Sequence, residues 1–319
     1  MRLCKMAAIG ALIMLMAAGS VFAKGGSQSG TAAGSSKIKI YLITMDQMDA
    51  HWLSVDAGAR AAIAELGADK FEYHFDSPER KDDAAQINKI NNAAANNANY
   101  ILLAANSADA MNGAIQEASR AGVKFIYVDS PASWPGAIAT IATNNTAAGK
   151  TAGEELLKAL AAAGTSSGSI GIVNVNPSTA STGAREEGFR AAFAGKGFTI
   201  LPTQYGDGDT AKSQAIAENY ITQGVVGIFG ANEGSTVGTA NAITGAGRAV
   251  LAIGFDKGGS VLDQIDQGLL IATMAQNPET MGSLGVRNAY TDFTGGTIAQ
   301  KSVDSGATVV NKANLSKFR

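Results

Sequence analysis

One cysteine and two histidines are all that 319 residues contain of the side chains that most often hold zinc, form disulfides or shuttle protons. The cysteine, Cys4, stands ahead of an apolar stretch at the N-terminus, so a chain processed there has no thiol, disulfide or thiolate chemistry. His51 and His74 do not make a metal site by themselves. Asp207-Gly208-Asp209 lacks the further ligands and terminal Glu of a calcium loop, and no metal or cofactor is expected. A Gly-x-Ser-x-Gly elbow is missing, which leaves an enzyme reading with His51 as base without positive support. Gly245-Ala246-Gly247 lacks the third glycine of a dinucleotide fingerprint, and there is no Gly-Lys-Ser/Thr phosphate loop. Basic clusters are missing too: 25 Lys and Arg stand against 27 Asp and Glu. Nucleic acid therefore has no surface on which its phosphates would be neutralised. After residue 23 no apolar run is long enough to span a bilayer.

What is present begins with an export signature. Met1-Arg2-Leu3-Cys4-Lys5 is a short basic segment, Met6 to Ala18 is apolar, and Val21-Phe22-Ala23 resembles a cleavage site. The apolar part is interrupted by Gly10 and is shorter than the ~20 residues of a spanning helix. Residues 1–23 therefore read as a cleaved signal peptide, and the protein as periplasmic or otherwise exported. Cys4 lies on the wrong side of the apolar stretch for a lipid anchor. Lys24 to Ser36, rich in Gly, Ser and Ala, reads as a flexible linker.

The whole chain is 46% hydrophobic and 16% charged, enough for sizeable cores in about two domains. Six short apolar runs end abruptly in a hydrogen-bonding residue: Ile40 to Thr44, Tyr100 to Asn106, Phe125 to Asp129, Ile170 to Asn174, Ile228 to Asn232 and Leu251 to Asp256. Helices are expected at 52–66, after Asp82-Asp83, and at 109–121 with Gly122 closing it. Others are expected at 146–163, 181–195, 210–223, 234–246 and 278–293. Further strands are expected at 138–143, 198–203 and 269–274. Strands alternating with helices form parallel sheets, which bind ligands at the carboxyl ends of their strands.

The residues at those ends suit a polyhydroxylated molecule. Hydroxyls both donate and accept, so carboxylates, amides and Arg recognise them, while an aromatic face covers the C–H side of a ring. Asp129, Asn232, Asp256, Arg185 and Trp52 supply these groups. Each has a plainer explanation: Trp52 as core, Asp129 or Asn232 as helix caps, Arg185 as a partner of Glu186 or Glu187. All of them being incidental together is the weaker account.

In order along the chain, His51-Trp52, Val128-Asp129, Arg185-Glu186-Glu187-Gly188-Phe189, Asn232-Glu233, Gly254-Phe255-Asp256 and Ala275-Gln276-Asn277-Pro278 resemble the ribose/galactose-type periplasmic sugar-binding proteins. The lactose-repressor family shares their lobes. The similarity covers nearly all of residues 37–300. It implies an α/β fold of two Rossmann-like lobes, with parallel sheets flanked by helices and a three-crossing hinge near Thr143, Gln276 and Val303. The N-terminal lobe would be 37–143 plus 277–302, and the C-terminal lobe 144–276 plus 303–319. By the same resemblance Asp129, Arg185, Asn232, Asp256 and Gln276 hold hydroxyls and Trp52 stacks on the ring. Asp49, His51 and Asn106 belong to the first wall, and Phe255 packs beside the sugar.

The chain departs from the ribose-specific pattern, which has Asn near Asp49, Phe at His51, Arg where Ser130 stands and an aromatic where Gly208 stands. With Asp49, Asp129 and Asp256 facing one Arg185, an anionic sugar would be repelled. The expected protein is a monomeric, non-enzymatic solute-binding component that carries a neutral monosaccharide to the permease of an ABC importer. A furanose-like signal molecule, nucleoside or polyol is the alternative ligand. A sensing role, with the closed form docking a chemoreceptor or sensor kinase, is the alternative use.

Overall fold

A computed structural model describes residues 37–246 and 249–319. The expected signal peptide, the linker and Cys4 lie outside the described residues. The chain opens with β1 (Ile38–Ile43), α1 (Ala50–Leu66), β2 (Phe71–Phe75), α2 (Asp83–Ala95), β3 (Tyr100–Leu103), α3 (Asn112–Arg120), β4 (Lys124–Val128) and β5 (Ala139–Ala142). It continues with α4 (Asn145–Ala162), β6 (Gly168–Asn174), α5 (Ala180–Phe193), β7 (Phe198–Ile200), β8 (Gln204–Tyr205), α6 (Thr210–Thr222), β9 (Gly227–Gly230) and α7 (Glu233–Thr244). Last come β10 (Leu251–Phe255), α8 (Gly259–Asp266), β11 (Ala272–Gln276), α9 (Pro278–Phe293), β12 (Ser302–Asp304) and β13 (Ala307–Asn311).

The strands form two sheets, ordered β12-β5-β4-β3-β1-β2 and β13-β11-β10-β9-β6-β7, with β8 beside β6. Matched position by position, the second order repeats the first, so the molecule is two α/β lobes of one design. All pairings are parallel except β11 with β13. Successive β1 residues point to opposite faces: Ile40 and Leu42 enter one cluster with α1 and α9, while Tyr41 and Ile43 enter another with α2 and α3. A sheet buried on both faces needs such continuous apolar strands. Each fully buried Ile or Leu contributes roughly 1.5–3 kcal/mol.

Helices cross closely where glycines meet. A Cβ at Gly58 of α1 would collide with the Glu279 carbonyl of α9, and one at Gly282 with the Val55 carbonyl. The second lobe repeats the device: Gly149 of α4 abuts the Arg185 carbonyl and Gly188 of α5 the Thr146 carbonyl. This contact sets the height of α1 and α5, which carry His51, Trp52 and Arg185 in their first two turns.

The chain passes between sheets after β5, after β11 and between β12 and β13. Thr143 Oγ1 donates to Gln276 Oε1 at 2.8 Å and lies 3.3 Å from the Gly306 carbonyl, and Asn277 Nδ2 donates to the Ser305 carbonyl at 2.7 Å. The third passage is at Ser305-Gly306, later than expected, because Val303 and Asp304 still pair with Ile141 and Ala142 of the first sheet. Other boundaries shift for local reasons. The strand expected at 269–274 runs Ala272–Gln276, since the Leu269 and Leu270 amides close the turn after α8 by bonding the Gln264 carbonyl. Strand 198–203 stops at Ile200 ahead of Pro202, which has no N–H to donate. Helix 109–121 begins only at Asn112.

Candidate functional site

Asp129 and Asp256 occupy the same place in the two lobes, one residue past β4 and β10. Both have positive φ, 61° and 76°, a conformation uncommon outside glycine. Both donate their amide to the neighbouring strand, Asp129 to the Ile141 carbonyl at 2.9 Å and Asp256 to the Met274 carbonyl at 3.0 Å. The sharp turn at each strand end brings both carboxylates to the cleft between the lobes.

His51 lies between them. Asp49 caps α1 by accepting the His51 amide, so the His51 ring leaves the first turn of the helix toward the cleft. Its Nε2 is 3.1 Å from Asp129 Oδ1 and its Nδ1 is 3.3 Å from Asp256 Oδ1. Burial would lower its pKa, but Asp256 and Asp129 outweigh that and hold the imidazole well above 6.5. Burial would likewise raise Asp256, yet His51, Arg185 and Gln276 bring it down to about 2.

Arg185 extends from α5. Its Nε donates to Asn145 Oδ1 at 2.8 Å and its Nη1 to the Ala231 carbonyl at 2.9 Å, while its guanidinium sits 4.2 Å from the Phe255 ring centre. Nη2 is 3.7 Å from Asp129 Oδ1, beyond hydrogen-bond range. Arg185 does not pair with its helix neighbours: Glu186 instead binds Arg190 and Asn174. Gln276 joins the site to the crossings, since its Nε2 donates to Asp256 Oδ1 at 2.7 Å while its Oε1 accepts from Thr143.

These groups enclose a small cavity lined by Met45, Asp49, His51, Trp52, Lys81, Asp129, Val175, Ser181, Thr182, Arg185, Asn232, Asp256 and Gln276. Eight of the ten residues expected from the sequence are in that wall. Phe255 is not; it stands behind Arg185 as a platform. Asn106 is not either: its side-chain amide donates to Asp83 at 2.6 Å and its carbonyl accepts from Thr179 of the other lobe at 2.6 Å. Trp52 is both core and wall, packed into the first-lobe cluster and edge-on to the His51 ring at 4.7 Å. Asn232 is both wall and cap, accepting from the Ser235 amide at 3.1 Å.

Lys81 was not expected. It follows Pro78-Glu79-Arg80, a segment that reads as a solvated loop, but its ammonium is buried between Asp46 and Asp49. The missing side chain at Gly208 makes room for it, since a Cβ there would lie 3.1 Å from Lys81 Nζ. A cation from one lobe thus fills the space where the resemblance placed an aromatic from the other. It also adds a cation not counted from the sequence, although with Asp46, Asp49, Asp129 and Asp256 set among His51, Lys81 and Arg185 the carboxylates still outnumber the cations by one.

A model of the periplasmic binding protein domain matches residues 40–297. The ribose import binding protein of Haemophilus influenzae is 28% identical over 265 residues, covering 82% of this chain and 87% of that one. A solute-binding protein of an ABC transporter from Agrobacterium vitis, solved with α-D-tagatopyranose, superposes with a TM-score of 0.82 at 29% identity, covering 88% of this chain and 99% of the other. One from Agrobacterium radiobacter in complex with D-arabinose gives 0.83 at 28% identity, covering 88% and 96%. Two lobes of repeated topology, three crossings and a polar cavity between strand ends agree with that match: the chain belongs to the periplasmic binding protein family.

Proposed function

We propose that this protein captures an uncharged monosaccharide in the interlobe cavity and carries it, outside the cytoplasm, to the membrane permease of an ABC importer. The observation that carries this is a set of buried polar atoms in the cavity-lining residues with no hydrogen-bond partner: Trp52 Nε1, Thr182 Oγ1 and Arg185 Nη2. Leaving such a group unpaired costs about 1–3 kcal/mol, and ligand hydroxyls would remove that cost. Trp52 Nε1 and Arg185 Nη2 only donate, so the ligand must offer acceptor oxygens there. The carboxylates of Asp129 and Asp256 would accept hydrogen bonds from its hydroxyls. With the carboxylates of Asp46, Asp49, Asp129 and Asp256 set against His51, Lys81 and Arg185, a ligand that brings no negative charge is favoured.

Closure would follow from the ligand bridging both walls, which lowers the closed state relative to the open one. No bond is made or broken. The test is a thermal-shift and calorimetric screen of D-ribose, D-arabinose, D-tagatose, their acid forms and nucleosides. At a hundredfold excess over Kd a true ligand stabilises by about 2.7 kcal/mol, and mass spectrometry should recover it unchanged. A screen in which only sugar acids bind would defeat the uncharged-ligand assignment, and turnover of the sugar would defeat the carrier role.

A further inference from the structure

We propose that His51 is a positioning residue, an imidazolium that holds the carboxylate of Asp129 in one lobe and that of Asp256 in the other, and that lobe closure is therefore linked to proton uptake. This rests on the cleft being the binding site. A neutral imidazole has a single N–H, so it donates to one carboxylate and turns a lone pair on the second. Here both ring nitrogens face carboxylate oxygens, at 3.1 and 3.3 Å. Asp256 Oδ1 also accepts from Gln276 at 2.7 Å, as an ionised oxygen would. A ring protonated on both nitrogens presents an N–H to each of these oxygens, where a neutral ring would turn a lone pair on one of them.

The atoms involved separate this role from that of a simple wall. His51 takes Oδ1 of both carboxylates, and among the described residues no hydrogen bond engages Oδ2 of either. One oxygen of each pair is fixed by the imidazolium and the other is left for a ligand hydroxyl. A phenyl ring, which the resemblance places at this position, would leave Arg185 alone to compensate two buried like charges. His51 is 7% exposed, and Asp129 and Asp256 are 4% exposed each, so water does not substitute.

The charged groups around the ring are Asp129 past β4, Asp256 past β10, Asp49 at its own helix cap, Arg185 on α5 and Glu233 on α7. Asp256 outweighs each other favourable contribution to the raised His51 pKa. Opening the lobes separates His51 from Asp256 but leaves it beside Asp129. The closed form therefore holds its proton to higher pH than the open form. Its added stability is complete below the open-form pKa and disappears as pH rises through the closed-form pKa. Between the two, the closed fraction falls by up to about tenfold per pH unit.

Small-angle scattering of the ligand-free protein from about pH 6, near the ordinary histidine value, up to about pH 10 reads closure without any ligand. The wild type should expand as pH rises, while His51→Gln and His51→Phe should lose most of that transition, keeping only the part due to Glu233, whose carboxyl is pushed up to about 8 by burial. Wild-type scattering that does not change, or variants that expand along the same pH curve, would overturn the proposal. If His51→Phe does not fold by circular dichroism, Asp256→Asn replaces it, with a much weakened transition expected. Calorimetry with D-ribose, D-arabinose and D-tagatose forms a second arm. Failure of all three to bind would count against the proposed ligand class, whereas the scattering curve still decides the role of His51. Tight binding with the same affinity at both ends of the pH range would count against His51 alone.

Discussion

Arg185 is held on three sides before any ligand arrives: by Asn145, by the Ala231 carbonyl and by the Phe255 ring. Preorganisation of this kind leaves little entropy to lose on binding. Arg185→Ala should lower sugar affinity by at least about a hundredfold in calorimetry. It should also lower stability by roughly 3 kcal/mol in urea unfolding, because Asp129 loses one of its two buried cations. Arg185→Lys keeps the charge but not the planar fork over Phe255, so it should recover stability better than affinity. Arg185, Asp129 and Asp256 were legible in the sequence because polar residues directly after apolar strands, or opening the next helix, have few places to go. Lys81 was not, since its burial depends on Asp46 and Asp49 more than thirty residues earlier and on the empty space at Gly208 in the other lobe.

At the scale of elements, the glycine contacts carry the next prediction. Gly58→Ala would force α1 away from α9, and Gly188→Ala would do the same to α5 and α4. Each should cost about 1–3 kcal/mol in unfolding experiments. Gly113→Ala on α3, where nothing lies within 4 Å of an added Cβ, should be neutral or gain about 0.4–1 kcal/mol. A loss at Gly113 as large as that at Gly58 would contradict the packing account. The long amphipathic helices and central strands could be read from periodicity. β2 could not, because Phe71-Glu72-Tyr73-His74-Phe75 sits at a sheet edge and mixes charge into its apolar face. α8 was missed because eight residues give too few turns for a pattern. The apolar pair Leu269-Leu270 misled because it lines a turn and not a strand.

For the whole molecule, the lobes meet directly at a rim beside the cavity. The Ala108 amide donates to the Ser178 carbonyl at 2.9 Å, and Thr179 Oγ1 to the Asn106 carbonyl at 2.6 Å. Hydrogen exchange should therefore report closure. On adding a bound sugar, the Ala108 amide should slow by at least about tenfold, while the Ile101 amide in β3 should not change. Equal protection at both sites would point to global stabilisation without lobe movement. The wiring from Thr143 through Gln276 to Asp256 and His51 places the crossings and the ligand-facing carboxylates in one network. Closure and ligand capture are thereby one event in two places.

The sequence by itself determined the alternation of strands and helices, the crevice at the strand ends, and most of the side chains that line it. Those features follow from local rules: apolar period, turn chemistry, and the need of a buried sheet for polar exits. Only the tertiary structure decided the charge balance of the cavity and the position of His51 between two carboxylates. It alone also showed that Asn106 and Phe255 support the wall without forming it. The reason is physical: an ion pair or a bridge between lobes depends on distances across the cleft, and no spacing along the chain encodes them.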